Sequence, residues 1–304
     1  MKIATTTGDF AHYADNDIER IQALYAAGFR YVDLDMYTFT PASVYMSDGW
    51  RDAVQALKRE ADALGMKFVQ AHSQGGNPLD GDADKVKFIL DATVRSIEIC
   101  HELGIPNTVV HCGFGKGLDR DGWFEKNREF YKKLYPAMEK HGVNVLIENS
   151  TRSNMGDMYF CNNGRDMRDF LEYLDHPMMH ACWDTGHGNC EGGQYGEIMT
   201  LGDELYAIHY NDNHGQRDEH LMPYLGTLNH DEIMNALIDS RYKGYFTLEA
   251  SSSLIKKNHW PYKRREYSGD ERLCNPAAFM QRELVALMYR TTEYMLKAYD
   301  VFEE

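Results

Sequence analysis

The segment YAAGFRYVDLDM, at residues 25–36, places a glycine between an amphipathic stretch and a short apolar run. The same phrase recurs as DALGMKFVQAH (62–72), HELGIPNTVVHCG (101–113) and EKHGVNVLIENS (139–150). Its glycines are Gly28, Gly65, Gly104 and Gly142, which are 37, 39 and 38 residues apart. Glycine is favoured directly after a helix because its backbone adopts the left-handed conformation that closes the last turn. Each phrase therefore predicts a helix, a glycine cap and a strand.

Four further segments complete a set of eight strands: KIATTT (2–7), MMHACWD (178–184), LYAIHY (205–210) and GYFTLEA (244–250). The runs after the glycines are continuously apolar, which is typical of parallel strands covered on both faces. Dividing 304 residues by eight strands gives 38, the spacing of the glycines. We therefore predict a single α/β domain over residues 1–304, a (β/α)8 TIM barrel closed by a helix at about 277–298. An open doubly wound sheet is the alternative, disfavoured because no glycine-rich phosphate turn follows the first strand.

Composition and charge exclude several classes of protein. A hydrophobic content of 43% is ample for a core, so a disordered chain is excluded. The formal net charge of −15 argues against a broad nucleic-acid-binding face. No apolar run approaches the roughly 18 to 20 residues that span a bilayer, and the N-terminus lacks the pattern of a signal peptide. With six cysteines in no paired spacing, we expect a cytoplasmic protein with reduced thiols and no membrane partner.

Metal-capable residues stand at the ends of the strands, where a barrel of this kind carries its chemistry. From the third strand onward they are His72, His111, Glu148, Asp184, His209 and Glu249, with His187 three residues after Asp184. An ionisable side chain at the end of an apolar strand is costly unless it is paired, protonated or bound to a metal. Any one of them alone is more often an ordinary polar residue, but six at one level of a barrel predict a metal site. Carboxylate and imidazole ligands suit Mn²⁺, Zn²⁺, Co²⁺ or Mg²⁺.

The segments DTGH (184–187), IHYND (208–212), DEHLMPYLG (218–226) and TLE (247–249), with Glu148, resemble the xylose isomerase-like barrel superfamily. That superfamily holds sugar (phosphate) isomerases, epimerases and endonuclease IV. Its tagatose epimerase branch implies one divalent ion, which we expect to be Mn²⁺, held by a set of four residues: Glu148, Asp184, His209 and Glu249. It also implies that the two glutamates are the catalytic acid–base pair and that His187 binds a substrate oxygen. Arg217 is the candidate for a further substrate-binding arginine of that branch.

The resemblance to endonuclease IV implies a different function for the residues at the carboxyl ends of the strands. In that family three zinc ions are bound by the four ligands above and by additional ones. The additional ligands match His72, His111, His187, Asp218 and His220. The sequence departs from it in the acidic net charge and in Glu219, where the nuclease family has arginine. These five residues are therefore predicted either as ligands of additional metal ions or, for the first three, as contacts to a substrate.

The function predicted from these residues is isomerisation or epimerisation of a small sugar, polyol or keto-acid. A proton next to a carbonyl moves through an enediolate that the cation stabilises. The alternatives are a lyase or dehydratase acting on a keto-sugar or inosose, an endonuclease IV-like AP endonuclease with a trinuclear zinc site, and a barrel that binds metal without turnover. The sequence leaves open whether the chain forms a homo-oligomer.

The segment after the eighth strand, residues 251–275, is predicted to be a long loop insertion. It carries six Lys or Arg residues against three acids, a local excess of positive charge in an acidic chain. Long loops at this face of a barrel often act as lids. We expect Trp260 or Tyr262 to stack on a sugar and Lys256, Lys263 or Arg264 to meet an anionic group. The alternative is a solvated loop or a loop that contacts another subunit.

Overall fold

The computed structural model describes residues 1–304. Its strands are β1 (Ile3–Thr6), β2 (Tyr31–Asp35), β3 (Lys67–His72), β4 (Asn107–Val109), β5 (Asn144–Glu148), β6 (Met179–Asp184), β7 (Leu205–His209) and β8 (Phe246–Leu248). Its α-helices are α1 (Asp17–Ala27), α2 (Trp50–Leu64), α3 (Ala83–Leu103), α4 (Arg120–Tyr131), α5 (Tyr135–His141), α6 (Arg152–Met155), α7 (Gly164–Leu174), α8 (Thr185–Glu191), α9 (Tyr195–Leu201), α10 (His230–Asp239) and α11 (Ala278–Ala298). Strands and helices alternate along the chain, as the sequence predicted.

The eight strands form one parallel sheet that curls into a barrel. Neighbours follow the order β7-β6-β5-β4-β3-β2-β1-β8. The two edge strands meet through a parallel bridge between Tyr210 and Leu248. There the amide of Tyr210 donates to the carbonyl of Thr247 at 2.7 Å, and the amide of Glu249 donates to the carbonyl of Tyr210 at 3.0 Å. The predicted (β/α)8 barrel is therefore confirmed.

The repeat glycines end helices, as their spacing predicted. All four have left-handed backbones, with φ between 66° and 113°. Gly28, after α1, also lies close to another helix, because a Cβ atom there would come 3.1 Å from the ring of Tyr289 in α11. The first and last helices are thus packed side by side. None of the helices combines the length and the apolar composition that crossing a bilayer requires.

Two apolar clusters hold the barrel together. The larger one includes the outward-facing residues of the strands, such as Val145 and Ile147 of β5, which pack against the helices. The smaller one lies inside the barrel and takes one residue from each of four strands: Val109, Leu146, Cys182 and Ala207. Burying a side chain of the size of Val109 or Leu146 contributes about 1.5–3 kcal/mol. The inner cluster fills the barrel interior below the carboxyl ends of the strands, so the polar groups at those ends lie directly above an apolar layer.

The chain between β8 and α11 contains no helix or strand. An isolated antiparallel bridge between Asn258 and Lys263 is its one regular pairing. Serines at its start and Trp260 near its middle line the cavity described below. The loop therefore lies at the mouth of the barrel.

Candidate metal centre

Side chains of alternate strand residues point into the barrel, because successive residues of a strand face opposite sides. On β5 the interior residue Leu146 is followed two positions later by Glu148 at the mouth. The same step leads from Cys182 to Asp184 on β6. The same alternation continues just beyond two short strands. His111 lies two residues after the end of β4, and Glu249 lies one residue after the end of β8. A ring of polar side chains thus stands on the apolar inner cluster.

Four side chains of this ring share one centre: Glu148, Asp184, His209 and Glu249. Their ligand atoms all lie within 4.8 Å of one another. Nδ1 of His209 lies 2.6 Å from Oε1 of Glu148 and 3.5 Å from Oε2 of Glu249. Asp184 and His209 are fully buried, whereas the side chain of Glu249 is 21% exposed and borders the cavity. The structure therefore brings together the four residues that the sequence assigned to one ion.

The donor set of this centre fits a divalent cation. It offers three carboxylates and one imidazole nitrogen, a combination that suits Mn²⁺, Zn²⁺ or Mg²⁺. Carboxylates gathered in a buried space repel one another unless a positive charge lies between them. The nearest basic nitrogens to the carboxylate of Glu249 are at 3.5 and 3.6 Å, on His209 and His220, beyond good hydrogen-bonding distance. The carboxylate of Glu249 is thus available as a ligand.

Two interior residues hold the far side of the His209 ring. Its Nε2 atom lies 3.2 Å from Oδ2 of Asp33 and 2.8 Å from Nε2 of Gln70. Gln70 also donates to Oδ2 of Asp33 at 2.9 Å. A carboxylate behind a histidine fixes the ring and leaves the other nitrogen for a metal. Sequence reasoning missed both residues, although an acidic residue within the apolar run YVDLDM was a signal.

Asp184 is oriented by backbone and amide groups. Its Oδ1 atom accepts from the amide of His187 at 2.6 Å, and its Oδ2 atom accepts from Nδ2 of Asn211 at 2.7 Å. Asn149 holds the backbone of Asp184 through two hydrogen bonds, at 2.6 and 2.9 Å. At Gly186 a Cβ atom would lie 1.9 Å from Oδ1 of Asn211, so only glycine fits. Asn149 and Asn211 were not identified from the sequence.

A second group of possible ligands lies beside the first and consists of His187, Asp218 and His220. Nε2 of His187 lies 3.0 Å from Oδ2 of Asp218, and Nε2 of His220 lies 3.1 Å from Oδ1 of the same carboxylate. Asn154 also donates to Asp218, at 2.9 Å. His220 has a left-handed backbone, with φ of 51°. The loop at residues 209–226 thus brings the imidazole of His220 and the carboxylate of Asp218 to the carboxyl ends of the strands.

The histidines of β3 and the segment after β4 meet at Glu148. Oε2 of Glu148 lies 2.6 Å from Nε2 of His111 and 3.7 Å from Nε2 of His72. The two imidazoles are 3.1 Å apart at their Nε2 atoms. Because Oε1 of the same carboxylate faces His209, Glu148 bridges the four-residue centre and this histidine pair.

The two glutamates of the centre differ in proton affinity. Burial alone would raise the pKa of Glu148, but the charges of His209 and His111 hold it well below its usual range. Burial raises the pKa of Glu249, and the neighbouring imidazoles offset this only in part. Burial would lower the pKa of His187, but the charges of Asp184 and Asp218 raise it to about 10. The Glu148 carboxyl is therefore the more acidic of the two glutamates.

A cavity of about 690 Å³ opens above these groups. Its lining includes His72, His111, Glu148, His187, Asp218, His220, Glu249 and Trp260, together with Asp35, Tyr37 and Asn154. Asp184 and His209 lie beneath it. Arg217 does not line the cavity: its side chain is exposed, and its guanidinium carbon lies 5.4 Å from the ring centre of Tyr262. The cavity has the size of a small-molecule site.

The sequence matches the family model described as Xylose isomerase-like TIM barrel over residues 21–267. Among curated proteins, the uncharacterized protein y4fM of Sinorhizobium fredii is 24% identical over 183 residues, which cover 57% of this chain and 56% of that protein. The probable endonuclease 4 of Mycoplasma mycoides subsp. mycoides is 25% identical over 175 residues, which cover 53% of this chain and 59% of that protein. The chain thus spans less than two thirds of the length of these relatives.

Several solved structures share the fold across nearly the whole chain. A D-tagatose 3-epimerase-like protein is 15% identical, with 99% of this chain and 98% of that chain covered and a TM-score of 0.73. The 3-keto-D-glucoside 4-epimerase YcjR from E. coli is 20% identical, with coverage of 95% and 99% and a TM-score of 0.70. An AP endonuclease, family 2, from Brucella melitensis is 18% identical, with coverage of 82% and 93% and a TM-score of 0.65. At these identities the likeness shows the fold alone.

Proposed function

Because this chain belongs to the xylose isomerase-like TIM barrel family, we propose that it is a divalent-metal-dependent isomerase or epimerase of a small sugar. Glu148, Asp184, His209 and Glu249 would hold one ion, for which Mn²⁺ is the first candidate and Zn²⁺, Co²⁺ and Mg²⁺ are alternatives. The similarity of the fold to several sugar epimerases supports this class of reaction. The size of the cavity supports a sugar, a polyol or a keto-acid as substrate.

One observation carries the proposal: Glu148 and Glu249 reach a common centre from different sides of the barrel. Glu148 is the last residue of β5 and Glu249 follows the last residue of β8, and these strands are separated by β6 and β7 in the closed sheet. Their oxygens nevertheless lie within 4.8 Å of each other, and both line the cavity. Two carboxylates placed on either side of a substrate can remove a proton from one face of a carbon and return one to the other face.

The positions of the two glutamates at the cavity assign the two proton transfers. Glu148, Asp184, His209 and Glu249 would hold a divalent ion, which would supply Lewis-acid polarisation of a substrate carbonyl and so acidify the proton on the adjacent carbon. Glu148, whose carboxylate reaches both the centre and the cavity, is the candidate to take that proton from one side. Glu249, which also lines the cavity, is the candidate to return a proton from the opposite side. In the reverse direction the two residues exchange roles.

Other cavity residues would bind the sugar. His187 would offer Nε2 to a substrate oxygen in exchange for its contact with Asp218, while Nδ1 stays at 2.9 Å from the carbonyl oxygen of Asn149. His72 and His111 offer ring nitrogens to hydroxyl groups, and the exposed face of Trp260 offers a stacking surface. We assign no substrate contact to Arg217, because its side chain points away from the cavity lining and towards Tyr262.

The same groups could catalyse elimination from a keto-sugar or an inosose. Removal of the same proton by Glu148 would then be followed by loss of a hydroxyl from the next carbon, with His187 supplying a proton to the leaving oxygen. Products separate the two reactions, since elimination yields an unsaturated sugar and epimerisation preserves the mass.

Solvent exchange tests the proposed function directly. The Mn²⁺-loaded protein is incubated in D₂O with D-tagatose, D-psicose, D-fructose and L-ribulose, and the sugars are followed by NMR and mass spectrometry. We expect one carbon-bound deuterium in at least one ketose, together with its epimer, and no exchange after chelation. The variant His180→Gln serves as a control, because His180 lies at the opposite end of β6 and pairs with Glu204 at 2.8 Å. Absence of exchange with every ketose and metal would contradict the proposal.

A second candidate, AP endonuclease activity, is favoured by the second ligand group of His187, Asp218 and His220 and by the histidine pair at Glu148. Three zinc ions could then occupy the mouth, as the resemblance to endonuclease IV implies. The net charge of −15 opposes it, because DNA binding draws its affinity largely from neutralised phosphates. Metal analysis separates the candidates: about one ion per chain fits the epimerase and about three zinc ions with salt-sensitive DNA binding fit the nuclease.

A further inference from the structure

Asp35 is a carboxylate of the cavity wall that has no basic partner. The cavity lining contains no Lys or Arg residue and four acids, which are Asp35, Glu148, Asp218 and Glu249. The last three each lie within 3.5 Å of an imidazole nitrogen. Asp35 forms no ion pair, although it ends β2 beside His72, its partner in the register of β3. Its negative charge is therefore not matched by a basic side chain.

Only one oxygen of the Asp35 side chain is used within the protein. Oδ1 accepts from the backbone amide of Tyr37 at 2.9 Å, whereas Oδ2 accepts no hydrogen bond. The backbone amide of Asp35 donates to the hydroxyl of Thr7 at 2.9 Å, which fixes the end of the strand. A carboxylate can accept several hydrogen bonds, and a half-buried one gains from filling them. Oδ2 of Asp35 is thus an acceptor without a partner in the protein.

Gly8 leaves open space beside this oxygen. A Cβ atom at Gly8 would lie 3.1 Å from Oδ2 of Asp35 and 3.2 Å from Oγ1 of Thr6. The backbone of Gly8 is not left-handed, so its conformation does not require glycine. Thr6, Gly8 and Asp35 all line the cavity, and we name these three residues the Gly8 recess. The missing side chain therefore keeps a gap between two oxygen atoms at the cavity wall.

The surroundings of the Gly8 recess oppose an anionic ligand. The basic residues of the long loop that were considered from the sequence, Lys256, Lys263 and Arg264, do not line the cavity. The proposed metal centre does not reverse this balance, because its three carboxylates outnumber the two charges of a divalent ion. A phosphate or carboxylate group in the recess would meet the charge of Asp35 without a compensating cation.

A protonated amine matches the Gly8 recess better than a hydroxyl group does. An ammonium group supplies several N–H donors together with a positive charge, whereas a hydroxyl supplies one donor and no charge. Hydrogen bonds between an ammonium and a carboxylate are also stronger than those between neutral groups. The rings of Tyr37 and Trp260, which are 41% and 60% exposed, line the same cavity. Aromatic faces attract cations, so these rings favour a positively charged ligand as well.

We propose that the Gly8 recess binds the protonated amine of an amino sugar whose carbonyl group lies at the metal centre. This inference rests on the proposed function and narrows its substrate class from small sugars to amino sugars. Oδ2 of Asp35 and Oγ1 of Thr6 accept hydrogen bonds from the amine, and Gly8 leaves the room for it. Asp35 is then the residue that determines specificity for the charged substrate.

Calorimetric titration of the Mn²⁺-loaded full chain tests the recess without requiring turnover. The probes are D-glucose, 6-amino-6-deoxy-D-glucose and D-glucosamine, in which an amine replaces one hydroxyl. The parent is compared with Asp35→Asn, which retains an oxygen for the amide of Tyr37, and with Gly8→Ala. The control Asp48→Asn removes an exposed acid that follows the same strand and does not line the cavity.

We expect the parent to bind at least one amino sugar about tenfold or more tightly than D-glucose. Asp35→Asn should lose this preference while its affinity for D-glucose stays the same, and Asp48→Asn should bind as the parent does. Gly8→Ala should weaken binding of the amino sugar because its methyl group occupies the recess. Melting curves establish that each variant is folded, and Gly8→Ala serves if Asp35→Asn is not.

Equal binding of D-glucose and both amino sugars by the parent, or the same preference in Asp35→Asn and Asp48→Asn, would overturn the inference. An equal loss of affinity for D-glucose and the amino sugars in Asp35→Asn would mean that the recess binds hydroxyl groups, which overturns it too.

A second arm adds 1-amino-1-deoxy-D-fructose and 6-amino-6-deoxy-D-fructose to the D₂O assay, which separates the recess from the reaction. If amino sugars bind through Asp35 while no sugar exchanges deuterium, the recess is supported and the proposed function fails. Exchange of neutral ketoses by a parent without any preference for amines supports the proposed function and overturns the recess.

Discussion

Nε2 of His209 lies 3.2 Å from Oδ2 of Asp33, on the side of the ring opposite the carboxylates of Glu148 and Glu249. Asp33 belongs to β2 and His209 to β7, so the contact crosses the interior of the barrel. Asp33 is 1% exposed, and one of its oxygens has no hydrogen-bond partner. A buried carboxylate in this position directs Nδ1 of His209 towards the centre.

Replacing this carboxylate should weaken metal binding. We expect Asp33→Asn to lower the affinity for Mn²⁺ by about 10- to 100-fold, because the amide no longer fixes the ring through a charged hydrogen bond. Calorimetry on the metal-free protein measures the change. Asp35→Asn, on the same strand and at the cavity wall, should leave the affinity for Mn²⁺ unaltered. Equal affinities of Asp33→Asn and the parent would show that Asp33 does not support the ligand.

Removing either glutamate should suppress proton transfer. We expect Glu148→Gln and Glu249→Gln each to lower deuterium incorporation by about 10²- to 10⁴-fold at saturating Mn²⁺. The metal content of each variant is measured in parallel, because both residues are also proposed ligands. Glu204→Gln, which alters the opposite end of the barrel, should retain exchange. Near-full deuterium incorporation by the two glutamine variants would contradict the assignment of Glu148 and Glu249 as the acid–base pair.

The glycine of the DTGH segment should tolerate no side chain. In Gly186→Ala the new Cβ would meet Oδ1 of Asn211 at 1.9 Å, so we expect a loss of about 1–3 kcal/mol in the free energy of unfolding and weaker metal binding through Asp184. Denaturant titration measures the first effect. Gly196→Ala is the matched control, because it lies in α9 with nothing within 4 Å and should stabilise by about 0.5–1 kcal/mol. Equal stabilities of the two variants would contradict the packing of Gly186.

Asp9 should make stability depend on pH. Burial raises its pKa to about 7, although the hydroxyl of Thr5 donates to it at 2.6 Å. Because the folded state holds the proton more tightly than the unfolded state, its contribution is fully present below about pH 4 and is lost as the pH rises to about 7. Asp9→Asn abolishes this titration. We expect the stability of the variant relative to the parent to rise over that interval, by about 1.4 kcal/mol per pKa unit at most, and then to level off.

Melting curves in a chelating buffer at a series of pH values measure this difference. A difference between Asp9→Asn and the parent that is the same at pH 4 and pH 8 would mean that Asp9 ionises normally in the folded protein.

The fold could be predicted from the sequence because its signal is local. Each repeat glycine ends its own helix, and each apolar run forms its own strand, so the count of eight needs no long-range information. The strand-end residues were predictable for a related reason. Parallel strands in a barrel end at the same face, and that geometry alone places His72, Glu148 and His209 at the mouth.

The remaining parts of the site depend on contacts that no local pattern encodes. Asp33 and Gln70 support His209 only because β2, β3 and β7 face one another across the interior. Nζ of Lys256 comes to 5.2 Å from the centre of the Tyr13 ring only because tertiary packing brings the long loop to the segment after β1. Arg217 was expected near the substrate from its position after His209, but the turn of the loop directs it towards Tyr262.

Anomalous diffraction from crystals grown with MnCl₂ tests most directly whether Glu148, Asp184, His209 and Glu249 hold one cation. We expect a strong peak about 2.0–2.3 Å from an oxygen of each carboxylate and from Nδ1 of His209. A map without a peak among these four side chains, while they form ordinary ion pairs with one another, would contradict the metal centre and the chemistry proposed for it.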